Sequence, residues 1–200
     1  MTIPHSSAQL ITGMRALAKD LFATGVNALV PAASSTISLH PRTAQLACIN
    51  AMRSAALEYC QTVLVAHSTI GGDASIAASR LLKLAEDADG IDGAVAIVQG
   101  HAKEGPCNKR LALSFALAAA QTRLHRPWIF LSGMTGRREG GYRSAGAIVD
   151  AGTCAWIWPF GRPPAELPAD PEGLLAASGD LFLSDPRASH PMNIDLILLA

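Results

Sequence analysis

Three segments of this chain gather side chains that hold anions, each directly after an apolar, β-like run. In GHAKEGPCNKR (100–110), Gly100 and Gly105 permit a sharp turn and Asn108 stands where a helix would begin. The free N–H groups at such a helix start bind carboxylate or phosphate. Without a ligand the same segment is an ordinary strand-to-helix loop capped by Asn108. In SGMTGRREGG (132–141), four glycines let the backbone approach a ligand. Thr135, Arg137, Arg138 and Glu139 lie among them and Arg143 follows. Arginine recognises carboxylate or phosphate through two parallel hydrogen bonds. The alternative is a solvated loop. In SDPRASHP (184–191), Asp185, Arg187, Ser189 and His190 are close in sequence, and His190 suits a general base oriented by Asp185. No partner nucleophile can be named.

Other chemistry is poorly served. The glycine pattern is not GxGxxG with a distant acidic partner, so dinucleotide binding is not expected. No HxH or HExxH spacing joins the histidines, so no dedicated metal site is expected. His67 and His101 follow strand-like runs and are candidates to meet at one sheet edge. The four cysteines (48, 60, 107, 154) form no CxxC pair and read as buried or incidental thiols. Trp156 and Trp158 alternate as in a strand or a packed core.

The 16 basic and 16 acidic residues cancel, which argues against a nucleic-acid partner. No apolar run is long enough to span a bilayer. MTIPHSSAQL lacks a basic segment followed by an apolar core, so a cytoplasmic protein is expected. Half of the 200 residues are hydrophobic, enough for a substantial core.

The positioning elements follow from periodicity. Leu10, Met14, Leu17 and Leu21 share one face of a helix over 8–30, ended by Pro31. Residues 32–44 read as a polar linker. Helices over 46–60, 73–87 and 108–124 alternate with apolar runs at 61–67, 94–100 and 128–133. In the second helix Ile76, Ala77, Leu81 and Leu84 are expected to point inward. Short strands at 181–184 and 194–200 close the chain, and GRPPAELPADPEG (161–173) reads as a surface connection. Wholly apolar strands separated by helices indicate a sheet covered on both faces. The expected class is α/β: a three-layer sandwich with a mostly parallel sheet, plus an N-terminal helix packed on it or exchanged with a second copy.

The three loops resemble the C-terminal domain of the glycerate 2-kinase/hydroxypyruvate-reductase family, often called the MOFRL domain. GPCNKRLAL is similar to the family's GRGGRNQELAL at Gly105, Asn108, Leu111, Ala112 and Leu113. Residues 134–150 resemble GTDGxDGPTDAAGAIVD without gaps, agreeing at Thr135, Gly140 and Ala145–Asp150, with Glu139 in an acidic position. GDLFLSDPRASHPMNID resembles the ending GDLxxTGPTGTNVMDL at Gly179, Asp180, Leu181, Pro186 and Met192. Ser184, Ser189 and Asn193 are near matches. RALAKDLFATGVNAL resembles the start of the family's N-terminal domain.

The resemblance divides the chain into a helix over 1–31, a linker over 32–44 and a MOFRL-like domain over 45–200. It implies ATP-dependent phosphorylation of glycerate with Mg²⁺ and ATP as cofactors. A small hydroxy acid or phosphate-bearing ligand would be held by Gly105, Asn108, Thr135, Arg137, Arg138, Glu139, Arg143, Arg187, Ser189 and His190. Nothing here matches the family's large middle domain, with its GGGSAL-type segment and catalytic lysine. Several polar positions also differ: Cys107 and Lys109-Arg110 replace Arg and Gln-Glu, and Gly136 replaces Asp. The other expectation is therefore a non-catalytic module that binds small anions or another protein, and forms a homodimer.

Overall fold

The computed structural model describes residues 7–29, 41–67, 73–88, 93–100, 107–122, 124–135, 144–158, 167–183 and 192–200. The first layer holds α1 (Ser7–Asn27) and α2 (Pro41–Ala56). The sheet contains β1 (Thr62–His67), β2 (Ala94–Gly100), β3 (Trp128–Met134), β4 (Ser144–Asp150), β5 (Leu181–Leu183) and β6 (Asn193–Leu199). The third layer holds α3 (Ala74–Asp87), α4 (Asn108–Thr122), α5 (Ala151–Ile157) and α6 (Pro171–Ala177). The expected three-layer α/β sandwich is therefore present.

The sheet is mixed rather than mostly parallel. Its order is β1-β2-β6-β3-β4-β5, with β1 and β2 parallel and every other neighbouring pair antiparallel. The cause lies in the connections. A helical crossover returns the chain to the same end and permits parallel strands, as α3 does between β1 and β2. The nine residues between β3 and β4 leave no room for one, so β4 turns back on β3. β6 runs against both neighbours.

Side-chain alternation divides β6 between two cores. Ile194, Leu196 and Leu198 face α1 and α2, while Ile197 and Leu199 face α3 and α4. In the third layer Phe115 of α4 stacks on Phe130 at 4.3 Å and meets Trp128 edge-on at 5.4 Å. On the other side Phe22 of α1 meets Phe182 edge-on at 4.9 Å. A side chain at Gly133 would collide with the Phe22 ring, its Cβ standing 2.7 Å from Cε2. At Gly146, beside an irregularity in the β4–β5 pairing, a Cβ would stand 1.9 Å from the Ser132 carbonyl oxygen. Backbone therefore approaches backbone there as only glycine allows.

Several expectations need correction. The linker over 32–44 is cut short because Pro41 opens α2, as proline suits a first helical turn. Trp156 and Trp158 do not alternate in a strand, although Trp158 packs against the core as the other reading had it. Asp150 caps α5 by accepting from Gly152 N at 2.6 Å, while Thr153 Oγ1 accepts from Asp150 N at 3.0 Å, and Trp156 is left exposed. The connection over 161–173 includes the start of α6, where Asp170 accepts from Gly173 N at 2.8 Å and Pro171 stands in the first turn. Ile76 points outward, 53% exposed, because the inward stripe of α3 is Ala74, Ala77, Ala78, Leu81 and Leu82. β4 is a strand that periodicity missed. All four cysteines are free, and burial pushes the thiols of Cys48 up to about 12 and Cys154 up to about 11.

α1 is fixed to its own sheet by Arg15 at the end where β4 finishes and β5 begins. The Arg15 guanidinium donates to Asp150 Oδ2 at 2.9 Å, to Asp180 Oδ1 and to the Ile148 carbonyl. Ser178 Oγ donates to Asp180 Oδ2 at 2.7 Å. Burial pushes the Asp180 carboxyl up, against the lowering effects of Ser178 and Arg15. Replacing Arg15 by Leu leaves two buried carboxylates without their cation. The Arg15→Leu variant is expected to lose about 2–4 kcal/mol, partial exposure of Arg15 moderating the loss. Urea unfolding monitored by circular dichroism at pH 7 measures it.

Candidate functional site

The C-terminal ends of β1, β2, β3 and β5 and the N-terminal ends of β4 and β6 lie at one end of the sheet. The connections β2–α4, β3–β4 and β5–β6 therefore all attach there. The three loops singled out by sequence share one end of the sheet, where α/β proteins commonly bind ligands. Gly105, Arg137, Arg138, Glu139, Arg143, Arg187, Ser189 and His190 lie outside the described residues, as does His101.

The two remaining site residues are placed firmly. Asn108 is the first residue of α4, and Leu111 N bonds to the Cys107 carbonyl at 2.9 Å, so Cys107 precedes the helix as its cap. The buried Asn108 Nδ2 donates to Asn193 Oδ1 at 3.4 Å, joining the start of α4 to the start of β6. Thr135 follows β3 and is also buried. Its N–H donates to the Met192 carbonyl at 3.0 Å and its Oγ1 accepts from Met192 N at 3.1 Å. Both residues thus tie the roots of two loops together.

Sequence reasoning missed the charged centre of this end. Lys109, in the first turn of α4, is buried, and its Nζ stands 2.8 Å from Glu172 Oε1 of α6. Ser144 Oγ, at the start of β4, is 3.5 Å from each of them. Lys109 and Ser144 occupy positions where the resembled motifs have Gln and Ala, so these two departures meet in space. Nearby, Asp73 caps α3 by accepting from Ser75 N at 2.8 Å. That hydrogen-bonding, chiefly from the Ser75 hydroxyl and with help from Arg110, holds its carboxyl below the usual range.

A buried acid lies one step further into the sheet. Asp195 on β6 sits across from Ser132 on β3, and neither Ser132 Oγ nor Asp195 Oδ1 closes a hydrogen bond. Burial pushes the Asp195 carboxyl up to about 7, with a smaller lowering from the nearby Ser132 hydroxyl. The signal for it was an acid inside the otherwise apolar run NIDLILLA. Among the described residues no group of three or more His, Cys, Asp and Glu side chains comes together as a metal site.

The motif residues Asp150 and Asp180 lie at the opposite end of the sheet, in the Arg15 cluster. They cap α5 and anchor α1, which accounts for them as scaffold.

The fold has solved counterparts. The chain is similar to the glycerate kinase of Thermotoga maritima, with a TM-score of 0.65 and 20% identity over 78% of this chain and 40% of that one. It is also similar to the PH0495 protein of Pyrococcus horikoshii OT3, with a TM-score of 0.57 and 18% identity over 78% of this chain and 38% of that one. The chain therefore spans about two fifths of the length of these structures. No family model and no curated protein matches it. The likeness establishes a glycerate-kinase-like fold and does not single out the MOFRL domain. No helix among the described residues is long and apolar enough to cross a membrane.

The Asp195 carboxyl supplies a test of the site's interior. Its folded value, about 7, exceeds the ordinary 3.8, so the folded chain holds a proton that the unfolded chain releases. Its contribution to stability is complete below pH 4 and is lost as pH rises to about 7. The full span corresponds to roughly 4 kcal/mol. Asp195→Asn is neutral throughout and should flatten this part of the profile. Urea unfolding at pH 5 and pH 8 should show the parent losing more stability than the variant between the two.

Proposed function

We propose that this chain is a glycerate-kinase-like domain that binds the carboxylate of a small 2-hydroxy acid, D-glycerate first among them, where the three loops attach. The observation that carries the reading is the fold likeness to a glycerate kinase, with anion-binding chemistry gathered at one end of the sheet. The start of α4 contributes the positive end of its dipole. The Asn108 amide and the Lys109 ammonium stand in its first turn. Arg137, Arg138, Arg143 and Arg187 belong to connections that attach at the same end and are assigned here as further anion partners, with Gly105, Thr135, Glu139, Ser189 and His190 as the rest of the loop set.

Phosphoryl transfer needs a metal ion and several fixed cations around the transferred group. The described acids do not fit a Mg²⁺ centre: Glu172 is engaged by Lys109, and Asp195 is buried beside Ser132. We therefore derive no step through Mg²⁺ or ATP.

Calorimetric titration with D-glycerate, with and without Mg-ATP, tests it beside a coupled assay for ADP. Saturable binding is expected, with a dissociation constant of about 1 mM or tighter. Binding with turnover extends the reading to kinase activity. Binding without turnover makes the chain a non-catalytic binding module. Absence of any binding heat at millimolar D-glycerate overturns the reading.

A further inference from the structure

Lys109 is among the largest fully buried side chains. An ammonium withdrawn from water needs an anion close by, because its desolvation is otherwise uncompensated. Glu172 provides one, with Oε1 2.8 Å from Nζ. The Ser144 hydroxyl is held loosely. Ser144 Oγ is 3.5 Å from both Nζ and Oε1, at the outer limit of hydrogen bonding. Glu172 therefore satisfies the ammonium and reaches the hydroxyl only loosely.

The three residues also differ in depth. Lys109 and Ser144 are buried, whereas the Glu172 side chain is 22% exposed and forms the outer member. Lys109 and Ser144 stand at the starts of α4 and β4, both in packed elements of the core. Glu172 stands in the first turn of α6, only seven residues long. The inner pair is fixed by the fold, and the outer carboxylate is carried by a short element at the surface.

We propose that Lys109 and Ser144 form a carboxylate-binding site, and that Glu172 is its tethered internal occupant, displaced when the carboxylate of a small acid takes its place. The inference rests on the hydroxy-acid reading above and names the residues that would receive the acid group. It also assigns a regulatory role to α6: the strength of the Lys109–Glu172 contact sets how strongly the chain resists an incoming anion. The ligand carboxylate exchanges with the Glu172 carboxylate, so the buried ammonium keeps one counter-charge throughout.

The test uses the full chain, with Glu172→Gln and the paired variant Lys109→Met/Glu172→Gln. The pair removes both charges and so avoids an uncompensated buried ammonium. Sodium D-glycerate, sodium acetate and inorganic phosphate are the probes, with sodium chloride at matched ionic strength as control. Glu172→Gln should melt lower than the parent in chloride and regain its melting temperature in D-glycerate or acetate. It should also bind D-glycerate about tenfold more tightly, the effect of removing a competitor worth about 1.4 kcal/mol. The paired variant should show neither effect. Should Glu172→Gln fail to fold, refolding it with D-glycerate should restore it, and failure to restore it overturns the proposal.

Equal D-glycerate affinity in the parent and Glu172→Gln also overturns it, while leaving the hydroxy-acid reading in place. A response to acetate but not to D-glycerate keeps the carboxylate site and removes the hydroxy-acid reading. A response to phosphate alone overturns the carboxylate assignment.

Discussion

β2 and β3 do not pair with each other. Each pairs with β6, which lies between them and runs against both, with all seven of its residues buried. Without β6 the sheet separates into β1–β2 and β3–β4–β5. Its alternating side chains enter both cores, so it links the two helical layers as well as the two halves of the sheet. Everything at the loop end inherits this arrangement. Asn193 receives Asn108 from α4, and Met192, directly before the strand, is clipped to Thr135 after β3. The strand that closes the sheet also sets the spacing of the loop roots.

The two ends of the sheet perform different work. At one end Arg15 gathers Asp150, Asp180 and the Ile148 carbonyl, and so fastens the N-terminal helix. At the other end Asn108, Lys109, Ser144 and Glu172 surround the start of α4. The division explains why the resemblance carries fold better than chemistry. Asp150 and Asp180 agree with the motifs and act as anchors. Lys109 and Ser144 depart from them and face each other at the loop end. Scaffold is retained where the polar side chains hold the fold, and composition changes where they surround the candidate ligand position.

Much of the fold was legible in the sequence because burial leaves a simple mark. The apolar runs at 94–100 and 128–133 are strands covered on both faces, and α3 and α4 fall where the helical spacing indicated. Strand direction was not legible, since an apolar run looks the same whichever way it is crossed. β4 was hidden because SAGAIVD is rich in small residues, and these are small because backbone approaches within contact at Gly146. Trp156 and Trp158 gave a false period of two, as the capping at Asp150 makes that segment helical. Asn108 and Thr135, picked out from the loop motifs, are buried at the loop end and join loop roots there. Lys109 was overlooked because a lysine in sequence signals a solvated face, and only packing reveals one withdrawn from water.

The placement of β6 also orders events during synthesis. Until residue 199 has been made, Ala94–Gly100 and Trp128–Met134 can meet only as unpaired, apolar strand edges. The contacts that cover them span between 59 and 105 residues of sequence, by subtraction 59 for Met134↔Asn193, 71 for Trp128↔Leu199 and 105 for Ala94↔Leu199. Loop closure of that length is slow compared with local helix formation. A chain built this way joins its two halves late in folding.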